Sequence, residues 1–353
     1  MIRITYVDDT PTELRRYGER LSSSETTVRA IAPPKEFDPD AVLATPADVF
    51  VLDYELDKVA RTYEGATLAT AIRTRMNEHP IVLLSKKSLV APESARPLRL
   101  LFDDIIFKDE LEKSAAAVRA RLCDLAEGFA RLRRKRRRDV RTLFELLASR
   151  VDDESAVQRA SPPLIAGEDG TARWAVREVA SWIRNQLLFY PGIVYEPLSA
   201  ATMLGIASAS LKETKLVALL EDARYGGIFS GPAPLWWRSR LLSVAQETIA
   251  ASGTAPTSAQ VAFAAAFEKV YGVKLKRSVC VSCDGAEPED VCYVLQKPVH
   301  IAHSLPYRPD GRSSAMDEAR VSFKAIRETD KVLDEYLDDE DRLIAERLRD
   351  ADE

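Results

Sequence analysis

Two short, uninterrupted apolar runs, Val49-Phe-Val-Leu52 and Ile81-Val-Leu-Leu84, each stop at a single polar residue, Asp53 and Ser85. Runs of this kind suit strands buried on both faces, as in a parallel sheet covered by helices. Related segments flank them. IRITYV at 2–7 runs into Asp8 and Asp9, residues 27–31 form a weaker strand, and residues 104–107 end at Lys108. Helical patterns fall between, at Leu14, Tyr17 and Leu21 and again over 65–73. Strands alternating with helices predict an α/β domain built on a five-stranded, doubly wound parallel sheet.

In a parallel sheet the carboxyl ends of the strands share one edge, and ligands bind there. Asp8, Asp9, Asp53, Ser85 and Lys108 are therefore expected to converge. Carboxylates gathered in one place repel and suffer raised pKa values unless a cation neutralises them. Oxygen ligands with room for water suit Mg²⁺. An ammonium and a hydroxyl then supply donors for the oxygens of a phosphoryl group.

These residues, taken in order, resemble the receiver domain of two-component response regulators, a flavodoxin-like fold. The matching features are the pair Asp8-Asp9, Asp53 in VFVLDYEL, Ser85 in IVLLS and Lys108 in DDIIFK, within residues 1–125. The resemblance implies that Asp53 takes a phosphoryl group from a histidine kinase or phosphotransfer protein. It also implies that Asp8, Asp9, Asp53 and the backbone carbonyl of Glu55 hold Mg²⁺, while Ser85 and Lys108 bind phosphoryl oxygens. Three features depart from the family. Asp109 follows the lysine where proline is usual, Ile105 stands where an aromatic switch residue is common, and the loop after Asp53 is long, carrying Lys58 and Arg61. The usual hydroxyl-to-aromatic switch is thereby put in doubt. The basic loop is another reporter of phosphoryl charge, or simply a solvated surface loop.

Apolar residues at 111, 115, 118, 122, 125, 129 and 132 alternate in steps of four and three, a heptad seam. The pattern resumes at Leu143 and Leu146, and predicts one long helix leaving the first domain. Its first half doubles as the last receiver helix, and the seam over 111–132 offers a homodimer contact. The basic run RLRRKRRRDVR at 131–141 suits nucleic-acid phosphates, an acidic protein surface or the acidic C-terminal stretch of the same chain. A net charge of −5 argues against a nucleic-acid coat, so nucleic-acid contact is not favoured.

The expected organisation is a receiver at 1–125, a connecting helix at 126–150, a linker at 151–170, a mainly helical and winged-helix-like region at 171–255, and an α+β region at 256–353 with an acidic helical tail. Ala201, Gly205 and Leu211 suit a helix-turn-helix, and residues 224–231 a β-hairpin wing. The segment 208–222 carries more acids than lysines and no arginine, unlike a helix that reads DNA. The four tryptophans are read as core.

Cys280-Val-Ser-Cys283 resembles a zinc knuckle, with Cys292, His300 and His303 nearby. The alternative is reduced, partly buried thiols in strands, in which case Cys280 and Cys283 face opposite sides and share no metal. Four cysteines in a chain this long make no disulfide framework. With no secretory h-region and no membrane-length apolar run, the expectation is a cytoplasmic protein.

No Ser-His-Asp, Cys-His or P-loop pattern occurs, and three histidines leave few general bases. The expectation is a phosphoacceptor with self-dephosphorylation at most, controlling an unidentified output partner by protein contact. A DNA-binding regulator, a phosphoryl sink or decoy, and an output enzyme of unrecognised type are the alternatives.

Overall fold

The computed structural model describes residues 1–44, 46–56, 63–86, 101–166, 172–188, 192–254, 258–308, 318–329 and 331–350. The chain divides into two compact units, Met1–Leu146 with Pro163–Ser181, and Leu147–Pro162 with Trp182–Glu353.

The first unit is built on strands β1 (Ile2–Val7), β2 (Thr26–Ile31), β3 (Val49–Asp53), β4 (Ile81–Ser85) and β5 (Asp104–Phe107). They form one sheet in the order β2-β1-β3-β4-β5, with every neighbouring pair parallel. This is the predicted doubly wound sheet, and all five expected strands are present. β3 and β4 are buried at every residue, which is why their sequences show no alternation. Helices α1 (Pro11–Leu21), α2 (Pro39–Leu43) and α3 (Gly65–Arg75) connect the first four strands. Pro11 stands in the first turn of α1, where a fixed φ and a missing N–H cost nothing.

His79 lies in the approach to β4, half-buried, and its Nδ1 finds no hydrogen-bond partner among the described residues. Burial, followed by the charge of Arg133, pulls its pKa from 6.5 down to about 4. The folded chain thus holds this imidazole neutral, whereas the unfolded chain protonates it near 6.5. Stability contributed by neutral His79 is full above that value and is lost as pH falls toward 4. Thermal melts between pH 7 and pH 4 should show a smaller pH-dependent decline in His79→Gln than in wild type; identical slopes would remove His79 from the acid response.

The predicted single long helix is three helices: α4 (Lys108–Lys113), α5 (Ala115–Arg134) and α6 (Val140–Leu147). Lys135 takes an extended conformation and ends α5. The Asp139 carboxylate then accepts from the Thr142 amide at 2.8 Å and starts α6 afresh. The heptad seam does not provide a free dimer face. Leu111, Val118, Leu122, Leu125, Phe129 and Leu132 are all buried within the chain itself, and α5 lies against α1 and β3. The basic run is partly engaged as well. Arg133 donates to the Glu78 carbonyl at 3.1 Å, and Arg138 pairs with the Glu78 carboxylate at 2.6 Å and lies over the Trp174 ring.

The expected linker at 151–170 contains a helix, α7 (Val151–Arg159), anchored by the fully buried Asp153. Asp153 accepts from the Arg150 amide at 2.9 Å and Ser239 Oγ at 2.7 Å, and pairs with Arg240. A short ribbon, β6 (Ile165–Ala166) with β7 (Ala172–Arg173), and helix α8 (Val176–Trp182) follow.

In the second unit, β8 (Val194–Tyr195) precedes α9 (Pro197–Met203), a left-handed Gly205, a 3₁₀ turn at Ser208–Lys212 and α10 (Thr214–Leu220). A Cβ at Gly205 would stand 1.9 Å from the Gln260 carbonyl oxygen, so only glycine fits this turn. The expected wing is not formed. Residues 224–231 contain no strand, and Arg224 makes a single bridge to Trp236. Tyr225 instead turns its hydroxyl onto the Ile228 carbonyl at 2.8 Å, folding the Gly-Gly stretch around its own ring. The partner of β8 is β9 (Trp236–Trp237).

Helices α11 (Arg238–Ala251) and α12 (Ala259–Tyr271) lie on either side of the expected boundary at 255–256, yet Leu241, Ala245, Ala259 and Phe263 belong to one hydrophobic cluster. A four-stranded sheet of order β11-β10-β13-β12 follows, with β10 (Asp290–Cys292), β11 (Lys297–Val299), β12 (Ser304–Tyr307) and β13 (Ala319–Ser322). Helices α13 (Phe323–Glu328) and α14 (Asp339–Asp350) complete the unit. All four tryptophans are buried, as expected. No helix among the described residues is long and apolar enough to cross a membrane.

Candidate functional site

The strand ends of the first unit bring the predicted polar groups to one edge. Asp53 closes β3 and sits opposite Leu84, Ser85 closes β4 opposite Phe107, and Lys108 follows β5 at once. Asp8 follows β1. All four side chains are nearly or fully buried.

Lys108 is the hub. Its Nζ stands 2.9 Å from Asp53 Oδ1 and 3.4 Å from Asp8 Oδ2, and it also pairs with Glu13. Asp8 is held from its other sides by the Tyr6 hydroxyl at 2.6 Å and the Thr10 amide at 2.8 Å. Ser85 Oγ donates to the Lys86 carbonyl at 3.4 Å. Glu55, whose carbonyl was assigned to the metal, is solvent-exposed in the segment after β3.

One carboxylate of the site went unrecognised in the sequence. Oxygens of Asp8, Glu13 and Asp53 lie within 4.8 Å of one another. Glu13 occupies the first turn of α1, away from any strand end, so the strand-end criterion passes over it. The only cue was its place one helical turn past the acidic pair. Asp9 stands outside this trio and accepts a hydrogen bond from the Thr10 hydroxyl at 3.0 Å. Lys58 and Arg61 lie outside the described residues.

The electrostatics follow from the packing. Burial is the main influence that pushes the Asp53 carboxyl up to about 7; Lys108 opposes it, and Asp8 and Glu13 add to it. Burial works against the Lys108 ammonium, but the Glu13 hydrogen bond and the Asp53 charge outweigh it and hold its pKa above the ordinary lysine value. Among the described residues, three acids against one lysine leave an excess of negative charge in a buried site. That donor set fits a hard divalent cation.

Gly65 shapes the same corner from below. Its amide donates to the Tyr54 carbonyl at 2.9 Å, and a Cβ there would stand 2.0 Å from the Asp53 carbonyl oxygen. Gly65→Ala should therefore displace the backbone of the acceptor residue and cost about 1–3 kcal/mol. Denaturant unfolding measures this, and a loss under about 0.5 kcal/mol, typical of a surface change, would contradict the close approach.

In the second unit the predicted cysteine and histidine cluster assembles in part. Ligand atoms of Cys280, Cys283 and His300 lie within 4.8 Å of one another, and His303 Nδ1 is 3.9 Å from Cys280 Sγ. Residues 281–283 form a turn rather than a strand, so the two thiols are not driven to opposite faces. Cys292 does not join them. Its sulfur is buried and accepts from the Ser322 amide at 3.2 Å and the Leu295 amide at 3.4 Å.

No protein-family model and no curated protein matches the chain. Among solved structures, the response regulator TrrA of Thermotoga maritima, in complex with Mg²⁺-BeF, matches at 22% identity and a TM-score of 0.26, over 32% of this chain and 96% of TrrA. DrrB of Thermotoga maritima, an OmpR/PhoB homolog, matches at 25% identity and a TM-score of 0.28, over 35% of this chain and 52% of DrrB. The chemotaxis protein CheY4 of Vibrio cholerae matches at 19% identity and a TM-score of 0.26, over 31% of this chain and 87% of that protein. These structural neighbours are response regulators, and they cover about the N-terminal third of the chain.

Proposed function

We propose that the first unit is a phosphoacceptor receiver of a two-component system, taking a phosphoryl group on Asp53 from a histidine kinase or phosphotransfer protein. One observation carries this reading. A buried carboxylate at the end of β3 is 2.9 Å from a buried lysine and clustered with two further acids at the ligand-binding edge of a parallel sheet.

Asp8 and Asp53 would hold Mg²⁺, with the Glu55 carbonyl, Asp9 and Glu13 as further oxygen donors. When bound, the cation would supply positive charge that favours ionised Asp53 and offsets charge on the transferred group. The Asp53 carboxylate attacks the phosphorus of the phosphohistidine. The new O–P bond replaces the N–P bond, and the electron pair departs with the imidazole. Lys108 is placed to donate to a phosphoryl oxygen beside Asp53. Ser85, whose hydroxyl makes a long hydrogen bond to the Lys86 carbonyl among the described residues, turns to donate to another phosphoryl oxygen.

The output is proposed to be protein contact rather than DNA reading. The absent wing and a seven-residue α10 without arginine support this choice. A DNA-binding regulator and a phosphoryl sink are the competing readings. Incubation with acetyl phosphate, with and without Mg²⁺, tests the proposal by intact-protein mass. A single phosphoryl addition that requires Mg²⁺ and maps to Asp53 is expected; no addition under either condition rejects it.

A further inference from the structure

The sulfur and imidazole cluster belongs to the second unit and shares no residue with the Asp53 site. Its parts come from two segments. Cys280 and Cys283 bracket a tight turn, closed by the Cys280 amide on the Gly285 carbonyl at 2.8 Å and the Asp284 amide on the Cys280 carbonyl at 2.9 Å. His300 and His303 lie in the connection from β11 to β12, around the 3₁₀ turn Ile301–His303.

Three details show a built site rather than a chance meeting. Backbone amides converge on the sulfurs. The amides of His300 and Ser282 stand 3.3 and 3.4 Å from Cys280 Sγ, and that of Gly285 stands 3.4 Å from Cys283 Sγ. A neutral thiol is a weak acceptor, whereas a thiolate rewards such donors. Next, Gly285 leaves room that a side chain would fill. A Cβ there would lie 3.0 Å from Cys283 Sγ and 3.1 Å from His300 Nε2. Finally, His300 Nδ1 is 3.1 Å from Glu289 Oε2, which also accepts from the Ile301 amide at 3.0 Å. A carboxylate on one ring nitrogen fixes the tautomer and leaves Nε2 as a lone-pair donor, the arrangement that supports metal-bound histidines.

The geometry points to a structural zinc site formed by Cys280 Sγ, Cys283 Sγ, His300 Nε2 and His303 Nδ1, with Glu289 orienting His300. Zinc bonds of about 2.3 Å to sulfur and about 2.0–2.1 Å to nitrogen put tetrahedral ligand atoms roughly 3.3–3.8 Å apart. His303 stands outside the trio of Cys280, Cys283 and His300, but its Nδ1 is 3.9 Å from Cys280 Sγ, close to that edge, so a small ring movement brings it in as the fourth ligand. Four protein ligands close the coordination sphere, as in structural rather than catalytic zinc sites. The ion would staple the 280–285 turn to the connection between β11 and β12. That sheet has strands of only three or four residues, so such a staple would add to the packing that holds it.

Metal analysis of the full chain, purified reduced and without chelator, is the test. About one zinc per chain is expected from a closed four-ligand site, falling to trace levels in Cys283→Ser and in His303→Ala but retained in Cys292→Ala. Cys283 is exposed, so its substitution leaves packing intact. Glu289→Gln should keep the stoichiometry and weaken zinc affinity by about 10–100-fold. In the wild-type chain stripped of metal, Co²⁺ alone should give tetrahedral d–d bands with thiolate charge transfer. Absence of both zinc and the cobalt spectrum overturns the site, as does a Cys283→Ser variant that retains full zinc. Loss of zinc in Cys292→Ala equal to that in Cys283→Ser would overturn the ligand assignment. None of these readouts depends on phosphorylation, so the site and the receiver reading stand or fall separately.

Discussion

Asp53→Asn should abolish phosphoryl uptake while leaving the fold intact. Asparagine matches aspartate in shape and keeps an oxygen for Lys108, whose Nζ is 2.9 Å from Asp53 Oδ1. It lacks the anionic oxygen that attacks phosphorus, so the loss should be complete rather than graded. Stability should hold or rise, because burial and the neighbouring acids already push this carboxyl up to about 7, and a neutral amide relieves that repulsion. Lys108→Ala makes a contrasting case. It keeps the nucleophile but strips the site of a buried cation that faces three acids, so uptake should be weak and any downstream response lost. Intact mass after acetyl phosphate treatment reads both. Equal mass gain in wild type and Asp53→Asn would place the acceptor elsewhere.

Asp153→Ala should destabilise the second unit by about 3–5 kcal/mol, the range for removing one partner of a buried ion pair. Asp153 is fully buried and Arg240 nearly so. Truncation strands the guanidinium, leaves Ser239 Oγ without its 2.7 Å acceptor and opens the first turn of α7 at the Arg150 amide. In a unit of this size, each kcal/mol moves the melting point by about 2–4 °C, so a drop on the order of 10 °C is expected. Asp222→Ala is the control. Asp222 pairs with Arg150 at 3.5 Å on an exposed surface, and such pairs contribute about 0–1 kcal/mol. A melting point for Asp153→Ala no lower than that control would show that the buried pair does not hold the unit together.

The strands of the first unit were readable because burial on both faces leaves unbroken apolar runs, and the strand ends then locate Asp8, Asp53, Ser85 and Lys108. Glu13 was not, because a carboxylate in the first turn of a helix looks like ordinary complementation of the helix dipole. Two errors share a cause. The acids of 151–154 suit a linker by composition, and a seam that breaks at Arg136 and Asp139 yet resumes at Leu143 and Leu146 suits one helix by period; neither cue carries capping. Asp139 with Thr142, and Arg150 with Asp153, mark the helix starts that correct both. The twin glycines at 226–227 suggested a hairpin, but the neighbouring tyrosine ring decides the path. Spacing alone brought five Cys and His residues under suspicion; only the direction of each sulfur separates Cys292 from the rest.

The near contact of Gly65 with the Asp53 carbonyl has a mechanical consequence. No methyl group's thickness cushions the acceptor's backbone from the start of α3. Any shift of that carbonyl toward the helix meets bare backbone and pushes α3 as a lever, whereas a side chain between them would bend and absorb the stroke.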